Sequence, residues 1–133
     1  MSMETIEIKA FLPSKDFALS RQFYIDLGFT VAWGEEGVAY LHAGKSSFLL
    51  THYYQKEFAE NCMMHLLVKD VEAWWRHVEA QQLGQRYGVR INPPEDRAWG
   101  LRDFTIDDPC GVLWRIGQVI APRDAASKDG AAD

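Results

Sequence analysis

The first half of the chain shows a strand pattern, then a helix pattern, then three more strand patterns. The first strand is predicted at Thr5–Leu12, where apolar and polar residues alternate up to a proline. A helix is predicted next, from a cap at Asp16 to a stop at Leu27-Gly28, because apolar residues recur at every fourth position between them. Further strands are predicted at residues 29–33, 38–42 and 47–54.

The second half repeats this order. A strand is predicted at residues 63–68, and Lys69-Asp70 repeats Lys15-Asp16 as the start of a helix, which is predicted to stop at Leu83-Gly84. The following strands are predicted at residues 87–91, 99–106 and 112–118. Asn92–Arg97 is predicted to be a polar loop, and residues 107–111 form a predicted tight turn.

This duplication predicts an α+β fold in which two βαβββ units, at about residues 5–54 and 62–118, form one domain within residues 1–120. The helix of each unit covers only one face of its sheet. We therefore expect the two units to form a curved mixed sheet around a cleft, with the helices on the outside. Residues 121–133 are rich in Ala, Asp, Ser and Lys and are predicted to be a disordered tail.

Net charge and composition limit the classes of partner and site that the chain is expected to have. The 133 residues carry a formal net charge of −5, which argues against nucleic acid and is compatible with a cationic ligand or with solubility alone. We expect no membrane partner, since no apolar run has the length of a membrane span. Cys62 and Cys110 form no CxxC pair, so neither a zinc site nor a disulfide framework is expected. Without a recognisable signal peptide, the expected compartment is the cytoplasm.

Two motifs carry a resemblance to a known family. The first is Ser20-Arg21-Gln22-Phe23-Tyr24 followed by Leu27-Gly28-Phe29, and the second is Asp108-Pro109-Cys110-Gly111. Together with the duplication, they make residues 5–118 resemble the vicinal oxygen chelate superfamily, which includes glyoxalase I, bleomycin resistance proteins and extradiol dioxygenases. The resemblance implies the fold more specifically than the activity, because this fold serves many chemistries.

In metal-dependent members of that superfamily, four side chains from the two halves hold a divalent ion. The resemblance places those positions at Lys9, Met63, Arg115 and, by the weakest alignment, Leu49. None of these is a ligand for a hard divalent cation, and two of them carry positive charge. We therefore expect no metal and no other cofactor.

A cleft without a metal resembles the bleomycin resistance proteins, which bind a bulky, cationic, aromatic drug unchanged in clefts shared by two chains. The resemblance thus implies a homodimer that sequesters a small molecule and confers antibiotic resistance, rather than an enzyme. Two alternatives stay open: a metal-dependent lyase, isomerase or dioxygenase of the superfamily, and a structural or regulatory dimer that binds no small ligand.

Seven side chains are the candidates for contact with a ligand. Aromatic residues offer stacking and cation–π contacts, and His65 follows Met63 on the same face of its strand. If Lys9 and Arg115 also point inward, they make a cationic spot suited to a carboxylate or phosphate, unless Glu7, Asp103 or Asp107 neutralises them. The candidate ligand-binding residues are Lys9, Trp33, Tyr40, Phe48, His65, Trp99 and Arg115.

Overall fold

The computed structural model describes residues 2–120, so the predicted disordered tail at 121–133 lies outside the described residues. The element order reproduces the duplication. The first unit contains β1 (Phe11–Leu12), α1 (Phe17–Leu27), β2 (Thr30–Glu35), β3 (Val38–Ala43), β4 (Ser46–Thr51) and the short α2 (Lys56–Ala59). The second contains β5 (Met63–Leu67), α3 (Val71–Ala80), α4 (Leu83–Tyr87), β6 (Ile91–Asp96), β7 (Leu101–Asp107) and β8 (Leu113–Val119).

Each unit forms its own four-stranded mixed sheet, with strand orders β1-β4-β3-β2 and β5-β8-β7-β6. In both sheets the first strand runs parallel to the last, and the other neighbours are antiparallel. Phe11 pairs with Leu49, and His65 pairs with Arg115 at the corresponding place in the second sheet. This common topology confirms the predicted α+β fold of two βαβββ units, and it makes Leu49 the equivalent of Arg115.

Both main helices begin at the predicted aspartates. The Asp16 carboxylate accepts a 3.1 Å hydrogen bond from the Leu19 amide, and Asp70 accepts one of the same length from Ala73. Gly28 ends α1 with φ of 132°, a conformation that few other residues adopt. The predicted stop at Leu83-Gly84 is wrong, because α3 ends at Ala80 and α4 follows it.

Two strand predictions and one loop prediction also need correction. The predicted strand at residues 87–91 and the predicted loop at Asn92–Arg97 are wrong, because residues 91–96 form β6. This strand lies at the edge of its sheet, and its register with β7 shifts between Asn92 and Glu95, where the two prolines lie. Edge strands and bulges tolerate proline, which cannot donate to a ladder. Of the strand predicted at Thr5–Leu12, only Phe11–Leu12 is in the sheet.

The two units share one hydrophobic core. The Trp114 ring of the second unit lies 5.5 Å from the Phe48 and Phe29 rings of the first and 5.6 Å from the Tyr24 ring, centroid to centroid. Burying aromatic side chains of this size is a main source of stability. The units are therefore held together by packing as well as by the connecting chain. In residues 2–120 no helix has the length and apolar character needed to span a membrane.

Candidate functional site

The face of each sheet that points away from the helices carries most of the predicted site residues, and we call it the open face. On the first sheet, Trp33 pairs with Tyr40 and Tyr40 with Leu49, which in turn pairs with Phe11. Paired residues point to the same side of a sheet, so these four side chains form one row across the open face. Two members of the row, Trp33 and Phe11, are 50% and 62% exposed.

The segment before β1 lies against this row. The Lys9 ammonium is 5.0 Å from the centre of the Tyr40 ring and 2.8 Å from the Glu7 carboxylate. Glu7 also accepts hydrogen bonds from the hydroxyls of Ser47 and Tyr40. The hydrogen bond from Lys9 lowers the pKa of Glu7, and Glu7 raises the pKa of Lys9. Glu7 thus neutralises Lys9.

A corresponding row crosses the open face of the second sheet. His65 pairs with Arg115, Arg115 with Thr105, and Thr105 with Asn92, whose amide donates a 2.9 Å hydrogen bond to the threonine hydroxyl. Met63 and Leu67 flank His65 on β5 and are 58% and 55% exposed. The row therefore combines polar groups at its centre with uncovered apolar side chains at its edge strand.

Next to this row, one buried carboxylate holds two arginines. Asp103 on β7 is 1% exposed, and it accepts a 2.8 Å hydrogen bond from Arg97 Nε and a 3.1 Å hydrogen bond from Arg115 Nη1. Gly117 is its register partner on β8, and a Cβ added there would lie 2.9 Å from the Asp103 Cβ. Only glycine therefore leaves room for the Asp103 side chain at this point of the sheet.

The structure brings five of the seven predicted residues to the open faces or beside them. Trp33 and Tyr40 lie on the first open face with Lys9 beside them, and His65 and Arg115 lie on the second. Trp99 lies in the turn between β6 and β7 and is 54% exposed. Their contact with a ligand stays a prediction.

Phe48 needs correction as a candidate. Its side chain is 1% exposed, on the helix side of β4, and its ring lies 4.8 Å from that of Tyr24, centroid to centroid. Alternation along β4 is the physical reason, because Leu49 faces the open side and its neighbour must face the core. Phe48 borders a cavity between the two units, but it belongs to the hydrophobic core.

That cavity adjoins the second open face. It has a volume of about 380 Å³ and lies between the segment Glu7–Ile8, the start of β4 and the edge strand β5, including His65. Its size is in the range of small-molecule sites. His65 therefore borders both the polar row and the cavity.

The positions that hold a metal in related enzymes do not fit one in this chain. Phe11 pairs with Leu49 as His65 pairs with Arg115, and this register supports the assignment of Leu49, Lys9, Met63 and Arg115 to equivalent places. An aliphatic side chain, a thioether and two cationic groups offer no oxygen or imidazole donor. Within residues 2–120, no three His, Cys, Asp or Glu side chains cluster to hold a metal ion.

Sequence reasoning missed the role of Arg97. This residue begins the turn that follows β6, and its backbone amide donates to the Leu101 carbonyl at 2.6 Å. Asp103 was one of three possible partners for Arg115, and the structure selects it. Asp107 instead pairs with Arg90, at 3.1 Å.

Solved structures with this fold include several that bind antibiotics. A bleomycin-binding protein in complex with bleomycin is 25% identical with a TM-score of 0.71, and the match covers 86% of this chain and 98% of that one. A bleomycin resistance determinant encoded on transposon Tn5 is 24% identical with a TM-score of 0.72, covering 88% and 100%. A lactoylglutathione lyase from Agrobacterium tumefaciens is 16% identical with a TM-score of 0.64, covering 86% and 95%.

Two further comparisons concern the sequence. A search of curated proteins gives no significant match. A family model matches residues 7–116, which spans both βαβββ units and both motifs. The chain therefore belongs to the Glyoxalase/Bleomycin resistance protein/Dioxygenase superfamily.

Proposed function

We propose that the protein binds a small aromatic organic molecule on its open faces and releases it chemically unchanged. The observation that carries this proposal is the presence of two half-exposed tryptophans: Trp33 on the edge strand of the first open face, and Trp99 in the turn between β6 and β7. Tryptophan gains most from burial, so an uncovered ring marks a place for stacking. Met63 and Leu67 on β5 are further uncovered apolar side chains, on the second open face.

The charged groups on these faces support binding rather than catalysis. Lys9 is paired with Glu7, and Arg115 is paired with Asp103. A catalytic metal has no suitable donors at the four equivalent positions, so we derive no metal-dependent step. A similar solved structure is that of a bleomycin-binding protein with bleomycin bound, which supports the same interpretation. If the ligand is an antibiotic, sequestration is a resistance mechanism.

Equilibrium dialysis against a panel of aromatic antibiotics that includes bleomycin tests this function. We expect saturable binding, recovery of each compound at its original mass, and the same affinity with and without added Ni²⁺, Mn²⁺ or Zn²⁺. A product of new mass that forms only with a metal would instead identify an enzyme. If stoichiometric metal binding is lost in His65→Ala, a displaced metal site exists and the proposal fails.

We also propose that the protein is a homodimer, in which the second copy covers apolar side chains that one chain leaves open. Ile6 and Ile8 are 100% and 93% exposed in the segment before β1, and Phe11 follows at 62%. A row of uncovered apolar side chains of this kind marks an interaction surface. Light scattering at micromolar concentration should give twice the chain mass, and a monomeric mass contradicts the proposal.

Ile8→Asp is the matched variant for this measurement. The side chain is exposed in the single chain, so the substitution leaves the core of that chain intact. We expect the variant to be monomeric with little change in the fold as seen by circular dichroism. For localisation we propose the cytoplasm, since both Cys62 and Cys110 are free thiols.

A further inference from the structure

The two arginines that share Asp103 offer more donors than this carboxylate uses. Within residues 2–120, Arg115 makes hydrogen bonds only through Nη1, and both go to Asp103. Its Nε and Nη2 form the other edge of the guanidinium, and the side chain keeps 31% exposure. That edge matches a carboxylate, sulfonate or phosphate group in a bidentate arrangement.

The surroundings of this edge favour an anion. The buried Asp103 carboxylate faces two guanidinium groups, so the three side chains together carry one net positive charge. Glu95 lies 3.4 Å from Arg97 Nη1, but its side chain is 64% exposed and is therefore screened by water. His65, the register partner of Arg115, is a further hydrogen-bonding group on the same face.

The fold fixes the position of Arg97, Asp103 and Arg115, which we call the arginine cluster. Asp103 occupies the space that Gly117 leaves free, and Arg97 Nε binds Asp103 Oδ1 from the other side. A guanidinium held in place by a buried carboxylate loses less conformational entropy when it binds a ligand than a free surface arginine does. Trp99 lies two residues after Arg97, in the same turn, and its side chain is half-exposed.

We propose that Arg115, held by Asp103, binds an anionic group on an aromatic ligand. This inference rests on the proposed function and names the ligand class: an aromatic carboxylate, sulfonate or phosphate ester. It replaces the expectation of a cationic ligand, which rests on the net charge of the whole chain and on the resemblance to the bleomycin resistance proteins. Local charge at the site decides selectivity, whereas net charge mainly affects solubility and encounter rate.

Three naphthalene probes of the same size test this assignment by tryptophan fluorescence: 2-naphthoate, which is anionic, 2-naphthamide, which is neutral, and 2-naphthylmethylammonium, which is cationic. We expect naphthoate to bind about 10-fold or more tighter than naphthamide, and the cation to bind most weakly. Arg115→Gln should weaken naphthoate binding about 10- to 100-fold and leave naphthamide binding unchanged, because only the anion uses the guanidinium.

Two further variants separate the bidentate contact of the Arg115 guanidinium from the effects of its charge and of folding. Arg115→Lys keeps the charge and should restore only part of the naphthoate affinity. Arg76→Gln, on α3 on the other side of the sheet, removes the same charge and should leave naphthoate binding unchanged. Thermal unfolding of each variant verifies that it is folded.

The outcomes distinguish the two proposals. If naphthamide binds as tightly as naphthoate, or if Arg115→Gln weakens both probes equally, the anion assignment is overturned and the proposed function stands. If none of the three probes binds to the wild-type protein, the proposed function is contradicted as well, since each carries the aromatic body that the open faces are expected to stack against.

Discussion

The phenol of Tyr24 donates a 2.5 Å hydrogen bond to Oδ2 of Asp108, and this bond joins the two units inside the core. Both residues are buried, at 0% and 2% exposure. Trp114 Nε1 donates to the same phenol at 3.0 Å, and Asp108 Oδ1 accepts from the Cys110 and Val112 amides at 2.9 Å. The two sequence motifs of the family are thus partners in one hydrogen-bond network.

Removal of the Tyr24 hydroxyl should destabilise the protein strongly. Tyr24→Phe leaves Asp108 Oδ2 and Trp114 Nε1 without this partner in the core, and we expect a loss of about 2–4 kcal/mol in the free energy of unfolding by urea. Tyr87→Phe is the control, because Asp26 keeps its bonds to Arg86 and Gln22. Its loss should be about 1 kcal/mol, and equal losses in the two variants would contradict a special role for the Tyr24 bond.

The cost of Tyr24→Phe should also depend on pH. Burial raises the pKa of Asp108, whereas the hydrogen bond from Tyr24 lowers it by favouring the carboxylate. Without that bond, the pKa of Asp108 in the folded protein rises further. The variant therefore loses more stability than the wild type as the pH rises from the pKa of Asp108 in the unfolded chain to its higher pKa in the folded protein. Urea unfolding should show a smaller difference between the proteins at about pH 4 than at pH 7. A larger difference at the acidic pH contradicts this account.

The thiol of Cys110 should be unreactive in the native protein. Burial raises its pKa to about 12, and its Sγ donates to the Pro13 carbonyl at 3.3 Å. Because the thiolate is the nucleophile, iodoacetamide at pH 8 should modify Cys110 only after unfolding. In Cys62→Ser, mass spectrometry should detect no alkylation of the native chain, and rapid alkylation of this variant would show that the site opens.

Replacement of Gly117 by alanine should disturb the arginine cluster. The added methyl group would meet the Asp103 Cβ at 2.9 Å, and since this atom is next to the backbone, the strand must shift. We expect a loss of about 1–3 kcal/mol in stability and a weaker affinity for 2-naphthoate. Gly34→Ala is the control, because its nearest contact is an ordinary 3.5 Å. A neutral effect of Gly117→Ala on both measurements would contradict the role given to this glycine.

The helix starts and most strands were predictable from the sequence because they depend on local chemistry. Asp16 and Asp70 cap helices through side-chain bonds to amides three residues later, so their motifs identify the helix starts. Apart from β1 and β6, the strands of both units also follow from alternation, which, applied from Leu49, excludes Phe48 from the open face. The duplicated order of elements was therefore predictable almost completely.

Most of the predictions that failed concern features that depend on contacts between separate elements of the chain. Pro93 and Pro94 predict a loop by local propensity, but pairing with β7 places them in an edge strand, where the lost donors matter little. The helix stop at Gly84 failed for a local reason: Gln82 adopts a left-handed conformation with φ of 53°, between the end of α3 at Ala80 and the start of α4 at Leu83. Arg97 was missed because its bond to Asp103 becomes visible only when β6 is placed beside β7.

We propose that the protein binds an aromatic molecule through Trp33 and Trp99. A fluorescence titration with the antibiotic panel and the naphthalene probes tests this contact in the wild type and in the double variant Trp33→Phe, Trp99→Phe. We expect a saturable change in the wild type that is largely lost in the double variant, because the other three tryptophans are more buried. No saturable change in the wild type, or the same change in the double variant, would contradict it.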